Sequence, residues 1–135
     1  MAMLIVAVLA AGILGVFTDW LFMGVLFHSA YNTHPEIWKP GIREGQDKAA
    51  IIWASALGFV IGAAVIALCA LVGASSPWSA MGVALLMWVG GPLPVIVING
   101  LFVKFDPKIT FAHALGYLAR MLIAGLAAGI VLPLS

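Results

Sequence analysis

Four long apolar runs, separated by polar breaks, constrain this chain more than any other feature. Each is about 24 residues, longer than the roughly 20 that an α-helix needs to cross a bilayer. Backbone groups in hydrocarbon must satisfy one another, so runs of this length cross as helices. They take up nearly all of the 135 residues and leave no room for a separate soluble domain. With 8% charged residues, against roughly 25% in soluble domains, the expected fold is all-α. We expect a polytopic integral membrane protein with four transmembrane helices in one bundle, a single domain over 1–135. The expected helices lie at about 3–28, 48–73, 77–103 and 107–132, with a polar loop at 29–47. A net charge of +1 excludes a nucleic-acid surface, which needs a basic face. Met1 to Val6 lacks the basic stretch of a signal peptide, so the first run reads as retained helix.

Within the first run sits one carboxylate, Asp19. A charge at that depth is costly unless it is paired, neutralised or wetted, which makes it a functional candidate. Gly12 and Gly15 precede it by seven and four residues, on its own side of a helix, where a neighbouring backbone can come close. Trp20 and Phe27, seven apart, fall on another face, expected to meet lipid or a partner subunit.

The loop after the first run holds most of the charge: Glu36, Lys39, Arg43, Glu44, Asp47 and Lys48. Thr33-His34-Pro35-Glu36 fits a capping box, predicting a short helix through Trp38 that ends at Pro40-Gly41. Tyr31 and Trp38 suit the headgroup level. Asp47 is the expected N-cap of the second helix, where Ala54, Gly58 and Gly62 form a small-residue stripe. Ser76-Pro77 and Asp106-Pro107 each read as N-cap followed by first helical residue for the third and fourth helices. The third is interrupted by Gly90-Gly91-Pro92-Leu93-Pro94, where lost backbone donors force a break; Gly90, Gly91, Pro92 and Pro94 are candidate gating residues. On the fourth, His113, Tyr117 and Arg120 form a polar stripe, and Gly125 and Gly129 a small pair.

Basic side chains lie in the first and third loops, and none in the second loop or at the termini. The positive-inside rule then places 29–47 and 104–108 in the cytoplasm and both termini outside, in the inner membrane of a bacterium. Asp19 is 12 residues before Tyr31, and Arg120 is 13 after Pro107. At about 1.5 Å per residue, both lie roughly 18 to 20 Å from one membrane face. Opposite charges at one depth are most simply satisfied by each other, so an Asp19–Arg120 ion pair is predicted between the first and fourth helices. The same ruler sets His113, Asn99 and Trp53 at a shallower level, where they would line a polar vestibule, with His28 and His34 nearer the surface.

No two histidines have the i, i+4 spacing of a helical metal site, so neither a metal nor a cofactor is expected. Cys69 lies in an apolar run and reads as a small core hydrophobe, without a CxxC motif.

Gly15, Trp20, Leu26-Phe27 and Trp38, with Gly116-Tyr117-Leu118, Ala124-Gly125 and Gly129, resemble the DUF1761 group of small bacterial membrane proteins. That resemblance implies a four-span architecture and supplies no catalytic residue. Small multidrug transporters also carry an acid in the first helix, but theirs is a glutamate and their other motifs do not match. The leading functional expectation is an oligomeric small-solute or ion transporter or channel, with Asp19, Arg120, His113, Asn99 and Tyr117 as binding or transport candidates. A structural or accessory subunit of a larger membrane complex is the alternative. A membrane enzyme on lipid or quinone, with His113, His28 or His34 as acid or base and Glu36 as partner, is the third. The partners expected throughout are the lipid bilayer and further copies or subunits, not nucleic acid.

Overall fold

The computed structural model describes residues 1–39 and 48–134. Pro40-Gly41, Arg43, Glu44 and the expected cap Asp47 lie outside them. Four spans are long and apolar enough to cross a membrane: Ala2–Leu26, Lys48–Leu71, Pro77–Phe102 and Pro107–Leu134. They pack as one all-helical bundle. Large apolar side chains cover its outside, among them Ile13, Leu57, Leu86 and Ile130. The chain is a multi-pass membrane protein.

The first span is α-helical (α1, Ala2–Asp19) and then widens into a π-helix over Trp20–Leu26. Its Phe27 N–H bonds back to the Phe22 carbonyl at 3.0 Å, and Thr18 Oγ1 donates to the Gly15 carbonyl at 2.8 Å in the turn before the change. A wider helix turns less per residue, so side chains beyond Asp19 fall out of phase with those before it. This overturns the expected shared face of Trp20 and Phe27. Trp20 is exposed, whereas Phe27 is half-buried with its ring stacked on Phe22.

α2 (Lys48–Leu71) buries Gly58, Gly62, Val65, Ile66 and Cys69. Ala54, expected on the same stripe, is exposed, so close packing begins at Gly58. Gly73, at φ +69°, turns the chain in a conformation that strains any residue with a Cβ. Ser76 then caps α3 (Pro77–Gly90) in a reciprocal capping box with Ser79. α4 (Pro92–Phe102) completes the third span. α5 (Pro107–Val131) is capped by Asp106, whose Oδ1 accepts from the Lys108 N–H at 2.9 Å.

α5 is the helix around which the others pack, touching α1, α2, α3 and α4. It can do so because its buried positions are mostly Ala and Gly. A Cβ on Gly125 would lie 2.8 Å from the Ala80 carbonyl oxygen and 3.0 Å from the Ala84 Cβ, so α3 and α5 touch nearly backbone to backbone there. Val65 and Cys69 of α2 and Met121 and Ala128 of α5 belong to the core that these helices share. Cys69 has no second sulfur and points its thiol at the Ala80 carbonyl. The third span is the peripheral one: α3 buries only Ala80 and Ala84, and α4 buries no residue.

Candidate functional site

Asp19, at the end of α1, meets Arg120 of α5: Arg120 Nη2 donates to Asp19 Oδ2. The guanidinium side chain is 4% exposed and the carboxylate 26%. Room for so large a cation comes from missing side chains. A Cβ on Gly15 would sit 2.9 Å from Arg120 Nε, and one on Gly58 of α2 would overlap the guanidinium. Three helices thus close around one cation. The glycines before Asp19 therefore admit side chains, where a neighbouring backbone was expected: Gly15 the arginine and Gly12 the Phe59 ring. Arg120 Nε is buried without a hydrogen-bond partner among the described residues.

Above the pair, toward the loop, the Tyr31 hydroxyl and His113 Nε2 are 3.0 Å apart. Burial, with the Asp19 carboxylate adding to it, pushes the Tyr31 phenol up to about 12. The tyrosine keeps its proton at neutral pH and can donate it to the imidazole. Tyr31 lies in a 3₁₀ turn, His28–Asn32, that brings the loop back over the bundle. Its carbonyl accepts from Trp38 Nε1 at 3.0 Å, and the Trp38 ring lies 5.7 Å from Phe105 at an interplanar angle of 21°. These rings roof a cavity of about 480 Å³ between α4 and α5, with Asn99, Thr110, His113 and Tyr117 among its walls. That volume falls within the range of small-molecule sites, roughly 300 to 1,000 Å³.

The helix break forms part of the same cavity. α3 stops at Gly90, Gly91 takes φ −125° and ψ −91°, and Pro92 starts α4. Gly91 and Pro92 line the space. The interruption is narrower than the sequence indicated. Pro94 lies in the first turn of α4, where a missing N–H leaves no intrahelical bond unmade.

Asn99, His113 and Tyr117 therefore border one space, and Asp19 and Arg120 form a separate pair outside its lining. Trp53 is not in the vestibule expected of it, being 68% exposed on the outer surface of α2. The polar corner at the surface is distinct as well. His34 Nδ1 lies 3.4 Å and Lys104 Nζ 4.0 Å from Glu36 Oε1. The Glu36 carboxyl is held below the usual range by its own backbone N–H, with His34 and Lys104 adding to the effect. The expected capping box is absent: Pro35–Ile37 is a single 3₁₀ turn with no side-chain cap, and Thr33 Oγ1 donates instead to Asp106 Oδ2 at 3.0 Å. Glu36 is thus a surface partner of His34, remote from a buried base. Among the described residues, no three His, Cys, Asp or Glu side chains gather as metal ligands would.

Sequence reasoning missed the roof, Trp38 on Phe105, because it joins two loops that are distant in sequence. It also missed Thr110, although positions 110, 113, 117 and 120 run at spacings of three, four and three on one helical face. The bond from Trp88 Nε1 to the Ala114 carbonyl at 2.9 Å, tying α3 to α5, left no sequence signal.

A family model described as "Protein of unknown function (DUF1761)" matches residues 6–129, nearly the whole length. No curated protein and no solved structure matches the chain. The chain belongs to the DUF1761 family.

Proposed function

We propose that this DUF1761 member is a small-solute transporter whose solute site is the cavity at the break in the third span. The observation that carries this reading is the meeting of Gly91 and Pro92 with Asn99, His113 and Tyr117 around one space. Broken helices within spans commonly mark binding sites in transporters, since the freed backbone groups must face protein, solute or water. Asn99, His113 and Tyr117 are the solute-contacting candidates, and Gly90, Gly91, Pro92 and Pro94 belong to the segment that bends. Asp19 and Arg120 act as the fixed lock between α1 and α5 against which α4 moves, because each already holds the other. The cavity spans only part of the bilayer depth, and a second copy against the exposed third span would complete the path. The membrane is the inner membrane of a bacterium, with loops one and three cytoplasmic.

The test is solute-driven re-swelling of proteoliposomes with glycerol, acetate and phenol, comparing the wild type with a Gly91→Ala/Pro92→Leu variant that restores a continuous helix. The wild type should speed re-swelling for at least one solute, and the variant should return to the rate of protein-free vesicles while keeping its helical circular dichroism. Wild-type vesicles no faster than empty ones for every solute would sink the transport reading. The exposed α4 favours a second reading, an accessory subunit whose third span docks on a larger complex. Such a protein would gain thermal stability only in its native membrane extract and pass no solute.

A further inference from the structure

We infer that the cavity takes an uncharged, ring-bearing amphiphile with an oxygen function, drawn from the bilayer; this rests on the reading of that cavity as the solute site. Charge comes first. No charged side chain is among its described walls, and the nearest buried charges, Asp19 and Arg120, pair with each other. An ion there would lose its water with no opposite charge among the described walls to offset the loss. The hydrogen-bonding groups are neutral: α4 supplies Asn99 and α5 the rest. Thr110, His113 and Tyr117 of α5 follow at spacings of three and four, facing Pro92, Val95 and Ile96 across the space. A ligand that fits sets apolar surface against Pro92, Val95 and Ile96 and turns its oxygen toward α5 or Asn99.

Shape and access narrow the class. Trp38, Phe105, His113 and Tyr117 give the space four flat walls, which suit a planar ring better than a flexible chain. From Pro107 to Tyr117 the helix rises about 15 Å, so the cavity reaches from the headgroup level toward mid-membrane. Val95 is 57% exposed and Asn99 is also exposed, so the α4 wall fronts the lipid and not the loop. Phenols and quinones have this chemistry: a planar ring, a neutral oxygen for Asn99 or His113, and a preference for the bilayer.

The experiment uses the full chain in phosphatidylcholine nanodiscs with a phenol bearing a photoreactive diazirine, mapped by peptide sequencing. Competitors are the quinone menadione, the acyl alcohol dodecanol and the anion benzoate. Saturable labelling between residues 91 and 117, displaced by menadione alone, is the expected result. Asn99→Leu, on an exposed position that should not disturb folding, should weaken menadione about fivefold to tenfold, as should His113→Phe. Labelling that never saturates and spreads over Trp53 and Trp78 would mean partition into lipid only and overturn the inference. Equal displacement by dodecanol would mean an acyl groove and by benzoate an anion site, and either overturns it too. Menadione binding without solute passage would leave this inference standing and remove the transport reading. Solute passage with no menadione competition would do the reverse.

Discussion

Arg120 is the side chain on which the interior depends, because a guanidinium at mid-membrane has no water to fall back on. Its carboxylate partner Asp19 and the glycines on either side suffice only while all are present. Removing one member of a buried pair strands the other, at a cost of roughly 3 to 5 kcal/mol, whereas removing both can be nearly neutral. Asp19→Asn and Arg120→Gln should therefore each destabilise the chain by about that amount in denaturant titrations in mixed micelles. The double variant should recover at least half of the loss. If Asp19→Asn alone unfolds at the wild-type midpoint, the lock is wrong. Glycine spacing made the crowding legible in sequence, but not its occupant: Gly58 is on α2, and nothing in its neighbours indicates that an arginine from α5 lies over it.

At the scale of the element, starts were more legible than interiors. Ser76-Pro77 and Asp106-Pro107 open helices by local chemistry, a side-chain oxygen taking an N–H followed by a residue without one. Thr33 to Glu36 carries a related capping-box signature, with its proline two residues on, and fails, because Thr33 finds a carboxylate across the loop. The Asp106 cap also predicts a pH effect. Its carboxyl is held below the ordinary value of 3.8, first by the Lys108 N–H and then by the Thr33 hydroxyl. A depressed folded-state pKa contributes stability above the unfolded value, and that contribution disappears as pH falls through the folded one. Relative to Asp106→Asn, the wild type should melt higher at neutral pH, and the gap should close as pH falls below the ordinary carboxylate value of 3.8. A gap unchanged across that range would show that the carboxylate charge contributes nothing. The π-helix after Asp19 had no sequence mark, since no proline or glycine pair announces it and its register follows from packing on α5.

For the whole molecule, span number follows from hydropathy, whereas the proposed sidedness rests on a few cations. Loops one and three touch through Glu36–Lys104 and Thr33–Asp106, so they share a membrane face. Which face that is depends on the cations, and the rule puts it inside. In a Cys69→Ala background, a membrane-impermeant maleimide on intact cells should label Ser75→Cys and spare Lys104→Cys until the cells are opened. The opposite pattern would invert the topology without altering any contact described above. α5 is central because its Ala and Gly positions let three helices approach at once, whereas α4, with none of its residues buried, remains at the edge.

What the amino-acid sequence by itself determined was local or one-dimensional: four spans, the Ser76 and Asp106 caps, a break within Gly90 to Pro94, and the common depth of Asp19 and Arg120. Depth can be counted because a helix rises by a fixed amount per residue. Only the tertiary structure decided which faces meet. Those choices turn on rotation about helix axes, which the π-helix shifts and an apolar outer surface leaves unmarked in lipid. That is why Trp53 fell outside the vestibule and Trp38 became its roof. It is also why the polar stripe of α5 divides in two, Arg120 going to the lock and Thr110, His113 and Tyr117 to the cavity.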